Sequence, residues 1–357
     1  MSLDRRLADV LVVGDGVIGL ASALAIARAG GRCRILGRTV NGAASAASAG
    51  LLAPSIGIAD PPTRAFMRAA RDRYPEWVHW LAERTGIEVT LNRLGIIGIA
   101  SSSALPDSVP PSDVDYLDRA ALRAIEPALT SADEALLYHD DGYVDNVRFL
   151  AALREAVRCE WSIDVVEGRV ASIEPGRDGC GVAMEDGRQQ RGDTVVLAAG
   201  AWTALIAGAP RPLPVEPVRG QMLQLSSCPL SHAVSGADAY LVPRGDSTLV
   251  GSTLERVGFD SATTSAALDH LRAAASSVIP ELAHAEVLNS WAGLRPMTPD
   301  GLPILGRDPD SPRVVYACGH GKNGILLAPI TAESVAALVA GSAPSVDLSL
   351  FDVRRFE

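Results

Sequence analysis

Four stretches of this chain carry residues whose types and spacing could do chemistry. Gly14-Asp15-Gly16-Val17-Ile18-Gly19 has the G-x-G-x-x-G spacing. In that pattern Gly14 permits a tight turn, Gly16 lets backbone approach a pyrophosphate, and Gly19 lets a helix pack closely on a strand. Arg295, in Gly293-Leu294-Arg295-Pro296, offers a planar fork that can donate two parallel hydrogen bonds to a carboxylate; a surface arginine beside a proline turn is the alternative. Tyr240 could donate to the same carboxylate or simply fill a sheet face. Gly319-His320-Gly321-Lys322-Asn323-Gly324 holds the chain's single lysine, although thirty-two residues are Lys or Arg. Its ammonium is a compact point charge, suited to holding a carboxylate or stabilising an anion as oxygen is reduced. A surface position is the other reading. His320 is a turn residue or an acid–base group.

These residues need elements to position them. Val10–Val13 reads as a buried strand, and Leu20 to Ala29 as an apolar helix closing at Gly30-Gly31, so the first motif has its strand–turn–helix context. The helix N-terminus then offers free N–H groups and partial positive charge to phosphates. Arg32 to Leu36 is a second strand, followed by Gly37-Arg38 where a dinucleotide fold usually places an acid for the ribose. An arginine there can meet a 2′-phosphate, so NADP is a rival cofactor. The missing acid also predicts a loosely held adenosine end that Gly37→Glu would tighten.

Asn41 to Pro54 is a small-residue loop that leaves backbone free to approach a flat ligand. Ala65 to Thr85 reads as one helix with Trp77 and Trp80, which, like Trp291, suit the core better than a substrate stack. Glu88 to Leu91 and Gly95 to Ala100 read as strands, Ser101 to Ser112 as a surface loop and Asp118 to Ile125 as a helix. Val147 to Val157 is helical and Ser162 to Val166 a strand. Val170 to Ile173 and Gly181 to Glu185 suggest a small antiparallel layer. Thr194 to Trp202 is a buried strand entering a helix. Pro214 to Leu225, Tyr240 to Val242 and Thr248 to Gly251 alternate as a half-exposed antiparallel sheet does, and Thr263 to Val278 is an amphipathic helix. Val314 to Cys318, the second glycine turn and a helix to Ala340 repeat the strand–turn–helix unit.

Composition removes other classes. The length of 357 residues suggests two domains, and the formal charge of −10 disfavours nucleic acid and anionic membrane. No apolar run reads as a bilayer span, Leu20 to Ala29 being too short, and Met1 to Arg6 leads straight into the first strand without room for a signal peptide. The five cysteines, Cys33, Cys159, Cys180, Cys228 and Cys318, are scattered and read as reduced cytoplasmic thiols. No metal-ligand spacing and no G-x-S-x-G occurs.

Taken together, these stretches resemble the D-amino-acid oxidase superfamily of FAD-dependent amine oxidoreductases, and within it the glycine oxidases of the thiamine pathway. The resemblance rests on Ala49-Gly50-Leu51-Leu52-Ala53-Pro54, Gly293-Leu294-Arg295-Pro296 with Asp300-Gly301-Leu302-Pro303, and Gly319-His320 through Asn323 to Pro329. It implies an α/β, two-domain (α+β) architecture. A Rossmann-like FAD-binding domain is assembled from residues 1–57, 146–212 and 296–345, and a substrate domain with a mixed, largely antiparallel sheet from 58–145 and 213–295, leaving 346–357 as a tail. It places Gly14, Gly16, Val17, Ile18 and Gly19 at the pyrophosphate, Gly37 and Arg38 at the ribose, and Val170 at the adenine. Ala44, Ser45, Ala49, Gly50, Leu51 and Gly200 would lie along the flavin, with His320, Gly321, Lys322, Asn323, Gly324, Ile325 and Leu326 closing over its ring. Arg295, Tyr240 and Lys322 would serve catalysis, although Lys322 stands where glycine oxidases commonly carry a second arginine. The implied chemistry is hydride transfer from the carbon bearing nitrogen to non-covalently bound FAD, imine hydrolysis and reoxidation by oxygen to hydrogen peroxide. Glycine, sarcosine and small D-amino acids are the candidate substrates, in a cytoplasmic enzyme whose oligomeric state is open, a homo-oligomer included. The rivals are an NADP-dependent dehydrogenase and a FAD-bearing subunit of a hetero-oligomeric amino-acid dehydrogenase.

Overall fold

The computed structural model describes residues 10–56, 60–99, 113–236 and 238–357. Met1 to Arg6 and the serine-rich stretch 101–112 lie outside the described residues. A six-stranded sheet runs in the order Ile304–Arg307, Val314–Cys318, Thr194–Leu197, Val10–Val13, Cys33–Gly37, Ile163–Glu167. All its pairings are parallel except that of the edge strand Ile304–Arg307. Val10–Val13 lies where the strand order turns from one side to the other, the place where such sheets open a crevice beyond their carboxyl ends.

Every residue from Val17 to Ile26 of the first helix, Val17–Arg28, is buried. A helix apolar all round must be covered all round. It packs on the long C-terminal helix Gly324–Val339, with Leu24 and Ile26 beside Leu327 and Ile330 in one core. Gly321–Val339 is the one described stretch long and apolar enough by composition to cross a bilayer, contrary to the sequence expectation, yet most of it is buried in this core. The opposite face of the sheet is covered by an antiparallel layer of Val170–Pro175, Cys180–Met184 and Gln189–Gly192.

A second sheet of eight strands runs Val287–Met297, Glu216–Leu225, Ser247–Gly251, Tyr240–Arg244, Ala233–Ser235, Ile96–Gly98, Glu134–Tyr138, Val114–Asp118. It is antiparallel except where Ala233–Ser235 meets Ile96–Gly98. Its outer face packs Leu223, Val250 and Leu241 against Leu271 and Ala275 of helix Ser265–Val278. Its inner face gathers Met222, Ile96 and Leu249 against Ala49 and Leu51 of the small-residue loop and Ile56 just beyond it. The strand Val287–Met297 runs across residues 295 and 296, where the sequence reading divides the substrate segment from the cofactor segment, and it pairs with Glu216–Leu225 along its whole length.

Three sequence expectations change. Ala65 to Thr85 is two helices, Pro61–Arg71 and Tyr74–Thr85, because Pro75 has no N–H to continue the first and fits the opening turn of the second. Glu88 to Leu91 contributes only the short strand Leu91–Asn92. Thr194 to Trp202 stops being a strand at Leu197, and Gly200–Leu205 is a 3-10 turn rather than an α-helix.

The C-terminal helix carries Pro329 in its interior. Proline cannot donate to the carbonyl four residues back, which is that of Ile325. The buried Tyr74 hydroxyl donates to the Ile325 carbonyl instead, and burial pushes its phenol well above the usual range. Tyr74→Phe should therefore strand a buried acceptor and cost about 1–3 kcal/mol in urea denaturation. An unchanged midpoint would mean that the Ile325 carbonyl finds another donor.

Candidate active site

The carboxyl ends of the parallel strands open into a cavity of about 690 Å³. Gly14, Gly37, Gly168, Ala198 and Gly319, each at or just past a strand end, line it. The inner face of the eight-stranded sheet closes its far side with Met222, Tyr240 and Arg295.

The first helix begins at this wall with no side-chain cap of its own and no acid in its first turn; the Val17 N–H donates to Ser45 Oγ at 3.0 Å. The C-terminal helix also begins there, after the turn Gly321–Asn323, again without a side-chain cap or an early acid. Two helix N-termini thus bring first-turn N–H groups to one cavity, an arrangement that favours anionic or electron-rich groups. Between them, the small-residue loop folds as a short helix, Ala44–Ala47, and a two-residue strand, Leu51–Leu52. Its carbonyls are tied from behind. Asn146 Nδ2 donates to Ser45 O (3.1 Å) and Ala46 O (3.3 Å), Trp291 Nε1 to Ala47 O (3.0 Å) and Arg244 Nη2 to Ala49 O (3.0 Å).

At the far end, Arg295 lies flat against Gly220. A Cβ on that glycine would stand 2.2 Å from both terminal guanidinium nitrogens, so glycine makes the seat. The guanidinium donates to Thr253 O at 3.1 Å and Ser252 Oγ at 2.5 Å. Behind it, Glu255 receives Thr253 Oγ1, Gln221 Nε2 (2.8 Å) and Arg219 Nη2 (2.5 Å). Burial alone would raise the Glu255 carboxyl, but these donors outweigh it and hold it below its ordinary value. Among the described residues Arg295 pairs with no carboxylate, which leaves its charge for a ligand. Tyr240 Oη reaches, among the described residues, only Met222 Sδ, at 3.3 Å, and a thioether is a weak acceptor. Lys322 is exposed on the cavity wall and makes no hydrogen bond or ion pair among the described residues.

The sequence of residues 9–338 matches the family described as FAD dependent oxidoreductase (DAO). The chain belongs to this family. It is 34% identical to the glycine oxidase of Pseudomonas aeruginosa, covering 95% of this chain and 96% of that one. It is 35% identical to the bifunctional protein ThiO/ThiG of Synechocystis over 98% of this chain but 54% of the relative, so it spans about half the length of the first curated relatives it matches. The crystal structure of glycine oxidase from Geobacillus kaustophilus superposes with a TM-score of 0.89 at 30% identity, covering 97% of this chain and 98% of that one. The cofactor of the family is FAD, which disfavours the NADP reading of Gly37-Arg38.

For this FAD-dependent oxidoreductase, most of the residues singled out from sequence meet at the cavity: Gly14, Gly16, Val17, Ile18, Gly37, Arg38, Ala44, Ser45, Ala49, Leu51, Val170, Gly200, Tyr240, Arg295 and His320 to Ile325 all line it. Gly19, Gly50 and Leu326 do not. A Cβ on Gly19 would stand 2.0 Å from Gly14 O, and one on Gly50 1.9 Å from Val144 O, so both are packing positions; Leu326 is buried in the helix core. Gly37→Glu also loses its rationale, because a Cβ there would come within 2.8 Å of the Asp15 backbone nitrogen. Sequence reasoning missed Thr39, Arg154, Ser252 and Thr253 on the wall, and Gly220 as the arginine's seat. Asp15, between the first two glycines of the motif, lines the cavity as well.

His320 is 2% exposed, its Nε2 is 3.1 Å from Thr331 Oγ1, and burial pushes its ring down to about 3. It is a neutral turn residue at working pH, not an acid–base group. The unfolded ring takes a proton below about pH 6.5. The neutral burial of His320 therefore makes no pH-dependent difference above that value and destabilises the fold as pH falls from there towards 3. Its ring proton resonance should show no titration between pH 5 and 8; a midpoint near 6.5 would contradict the burial.

Proposed function

We propose that this chain oxidises a small amino acid or amine, of the glycine, sarcosine or small D-amino-acid class, with oxygen as electron acceptor. The observation that carries the reading is Arg295: a guanidinium seated on Gly220, paired with no carboxylate among the described residues, on the wall of the cavity that the glycine turn also lines. The glycine oxidase relatives, covered nearly end to end, favour the same reaction class. Residues 1–57, 146–212 and 296–345 form the cofactor part in this reading, and 58–145 and 213–295 the substrate part. We further assign it to the cytoplasm, on the net charge of −10 and on five free cysteines, and to thiamine synthesis, on the resemblance to ThiO.

In this reading Gly14 to Ile18 and the first helix hold the pyrophosphate, Val170 the adenine, and Ala44 to Leu51 with Gly321 to Ile325 the ring. When bound, the flavin supplies the electron sink that accepts a hydride from the carbon bearing nitrogen. Arg295 binds the substrate carboxylate bidentately and Tyr240 donates a third hydrogen bond to it, fixing the substrate carbon against the ring. The cavity-lining carboxylates among the described residues are Asp15 and Glu185, both by the glycine turn and the Val170 layer. None of the described residues offers a carboxylate base at the substrate end, so the amine enters neutral and leaves its proton to solvent. Linkage to FAD is non-covalent: Cys318 is on the wall, but burial pushes its thiol up to about 12, where it is a poor nucleophile.

The purified protein should be yellow, lose its colour entirely to the supernatant on acid precipitation, and bleach anaerobically with glycine, sarcosine or D-alanine. A colourless protein, or one bleached by none of these, sinks the reading. Arg295→Ala should raise KM far more than it lowers FAD content, at a cost of about 2–5 kcal/mol in kcat/KM. Normal oxidation by that variant would remove Arg295 as the anchor.

Lys322 has two roles that separate kinetically. We favour help to Arg295, so Lys322→Met should weaken substrate affinity in anaerobic reduction and leave reoxidation by oxygen unchanged. Slowed reoxidation with normal reduction would assign it to oxygen instead, and no change in either would make it a bystander.

A further inference from the structure

The strand-end acid that usually meets the adenosine ribose is absent here, and the structure gives the reason. Strands Val10–Val13 and Cys33–Gly37 pair in parallel with Val13 opposite Leu36, so Gly14 and Asp15 lie beside Gly37 and Arg38. A Cβ on Gly37 would stand 2.8 Å from Asp15 N, 3.1 Å from Asp15 Cβ and 3.2 Å from the Gly14 carbonyl carbon. Backbone cannot yield as a flexible side-chain tip can, so position 37 excludes any side chain, an acid included. The space beside it is taken by Asp15, which lines the cavity.

The Asp15 carboxylate is oriented. Thr39 Oγ1 donates to Asp15 Oδ2 at 3.1 Å, and Arg154 Nη2 donates to Thr39 Oγ1 at 2.8 Å. Thr39 and Arg154 line the same cavity. A carboxylate in a phosphate-binding turn repels the anion that the turn serves. Here the threonine draws it towards the Gly37 strand end, and an arginine lies within two hydrogen bonds of it. Its Oδ1 accepts no hydrogen bond among the described residues, which leaves it free for a hydroxyl.

We propose that Asp15 accepts hydrogen bonds from the ribose hydroxyls of the adenosine moiety, so that the ribose-binding acid has moved from the strand end to the glycine turn, with Gly37 as its steric counterpart. The inference rests on the FAD reading above. It goes beyond that reading in naming which hydroxyls are recognised, and by which residue.

The test is equilibrium binding to apoprotein, with no turnover involved. FAD is titrated by fluorescence quenching, and ADP, 2′-deoxy-ADP and 3′-deoxy-ADP are titrated as competitors against wild type, Asp15→Ala, Asp15→Asn and Glu185→Gln. Wild type should prefer ADP to at least one deoxy analogue by about tenfold or more. Asp15→Ala should weaken FAD by about ten- to a hundredfold and bind ADP and the deoxy analogues equally. Asp15→Asn, which can still accept but without charge, should fall between. Glu185→Gln, which neutralises the other carboxylate of this wall, should keep the wild-type preference, and loss of the preference there but not in Asp15→Ala overturns the proposal. A purely structural Asp15 would weaken all three competitors alike and leave their ratio unchanged, and that result overturns the proposal. So does an alanine variant that binds FAD as tightly as wild type. A wild type that binds neither FAD nor ADP overturns the cofactor reading, and this inference with it.

Discussion

The cavity exists because the backbone of Gly14 lies against the backbone of Ala198. A side chain at Gly14 would stand 2.3 Å from the Ala198 carbonyl oxygen, and φ there is +118°, a region L side chains rarely enter. Gly19 repeats the contact one helical turn later, against the Gly14 carbonyl. The central strand, its helix and the neighbouring strand end therefore meet as bare main chain. Neither Gly14 nor Gly19 projects a side chain where they converge, and the crevice beyond the strand ends stays open for a ligand. Substituting a side chain at Gly14 would strain the turn and separate the strand ends together, so packing and binding depend on the same atoms.

The small-residue loop poses the opposite difficulty. Ala43 to Ala49 has few side-chain atoms with which to anchor itself, yet it forms a wall. Its rigidity is borrowed. Asn146, at the start of helix Asn146–Arg158, caps two of its carbonyls, while Trp291 and Arg244 reach it from the eight-stranded sheet. Leu294 N donates to Gly42 O at 2.8 Å, which joins the same loop to the strand that carries Arg295. The small-residue wall and the strand of Arg295 are thus parts of one hydrogen-bonded piece, and their separation is set by backbone rather than by flexible side chains. That rigidity is what the proposed reaction would require, since it depends on the approach of one carbon to one ring position.

Both strand–glycine–helix units were legible in the sequence because their signals are local: β-branched runs, glycines at fixed offsets and apolar helices. Most of the wall followed, since Val17, Ser45, Arg295 and Lys322 lie within motifs short enough to read. What was not legible depends on pairing across the chain. That Pro61–Arg71 and Tyr74–Thr85 are separate helices could have been taken from Pro75, whereas the hydroxyl that Tyr74 supplies to Ile325 could not, because the partners are 251 positions apart. Gly220 looks like any strand glycine until the guanidinium is found lying on it. Gly37 read as a lost acid, and only the register with Val10–Val13 shows that no side chain could stand there.

The distribution of charge gives these features a common sense. The chain carries a net charge of −10, yet its cavity wall carries Arg38, Arg154, Arg169, Arg295 and Lys322 against only Asp15 and Glu185 among the described residues. An acidic protein has thus concentrated cationic groups around one opening, where low-dielectric walls strengthen their field. The two helix N-termini add partial positive charge at the two glycine turns. Such a field attracts diphosphate and carboxylate groups and opposes an ammonium. In the proposed reaction the charges that would hold a substrate carboxylate therefore also favour the neutral amine, whose lone pair is what hydride loss needs, so the chemistry asks for no carboxylate base beyond the Asp15 and Glu185 found on the wall among the described residues.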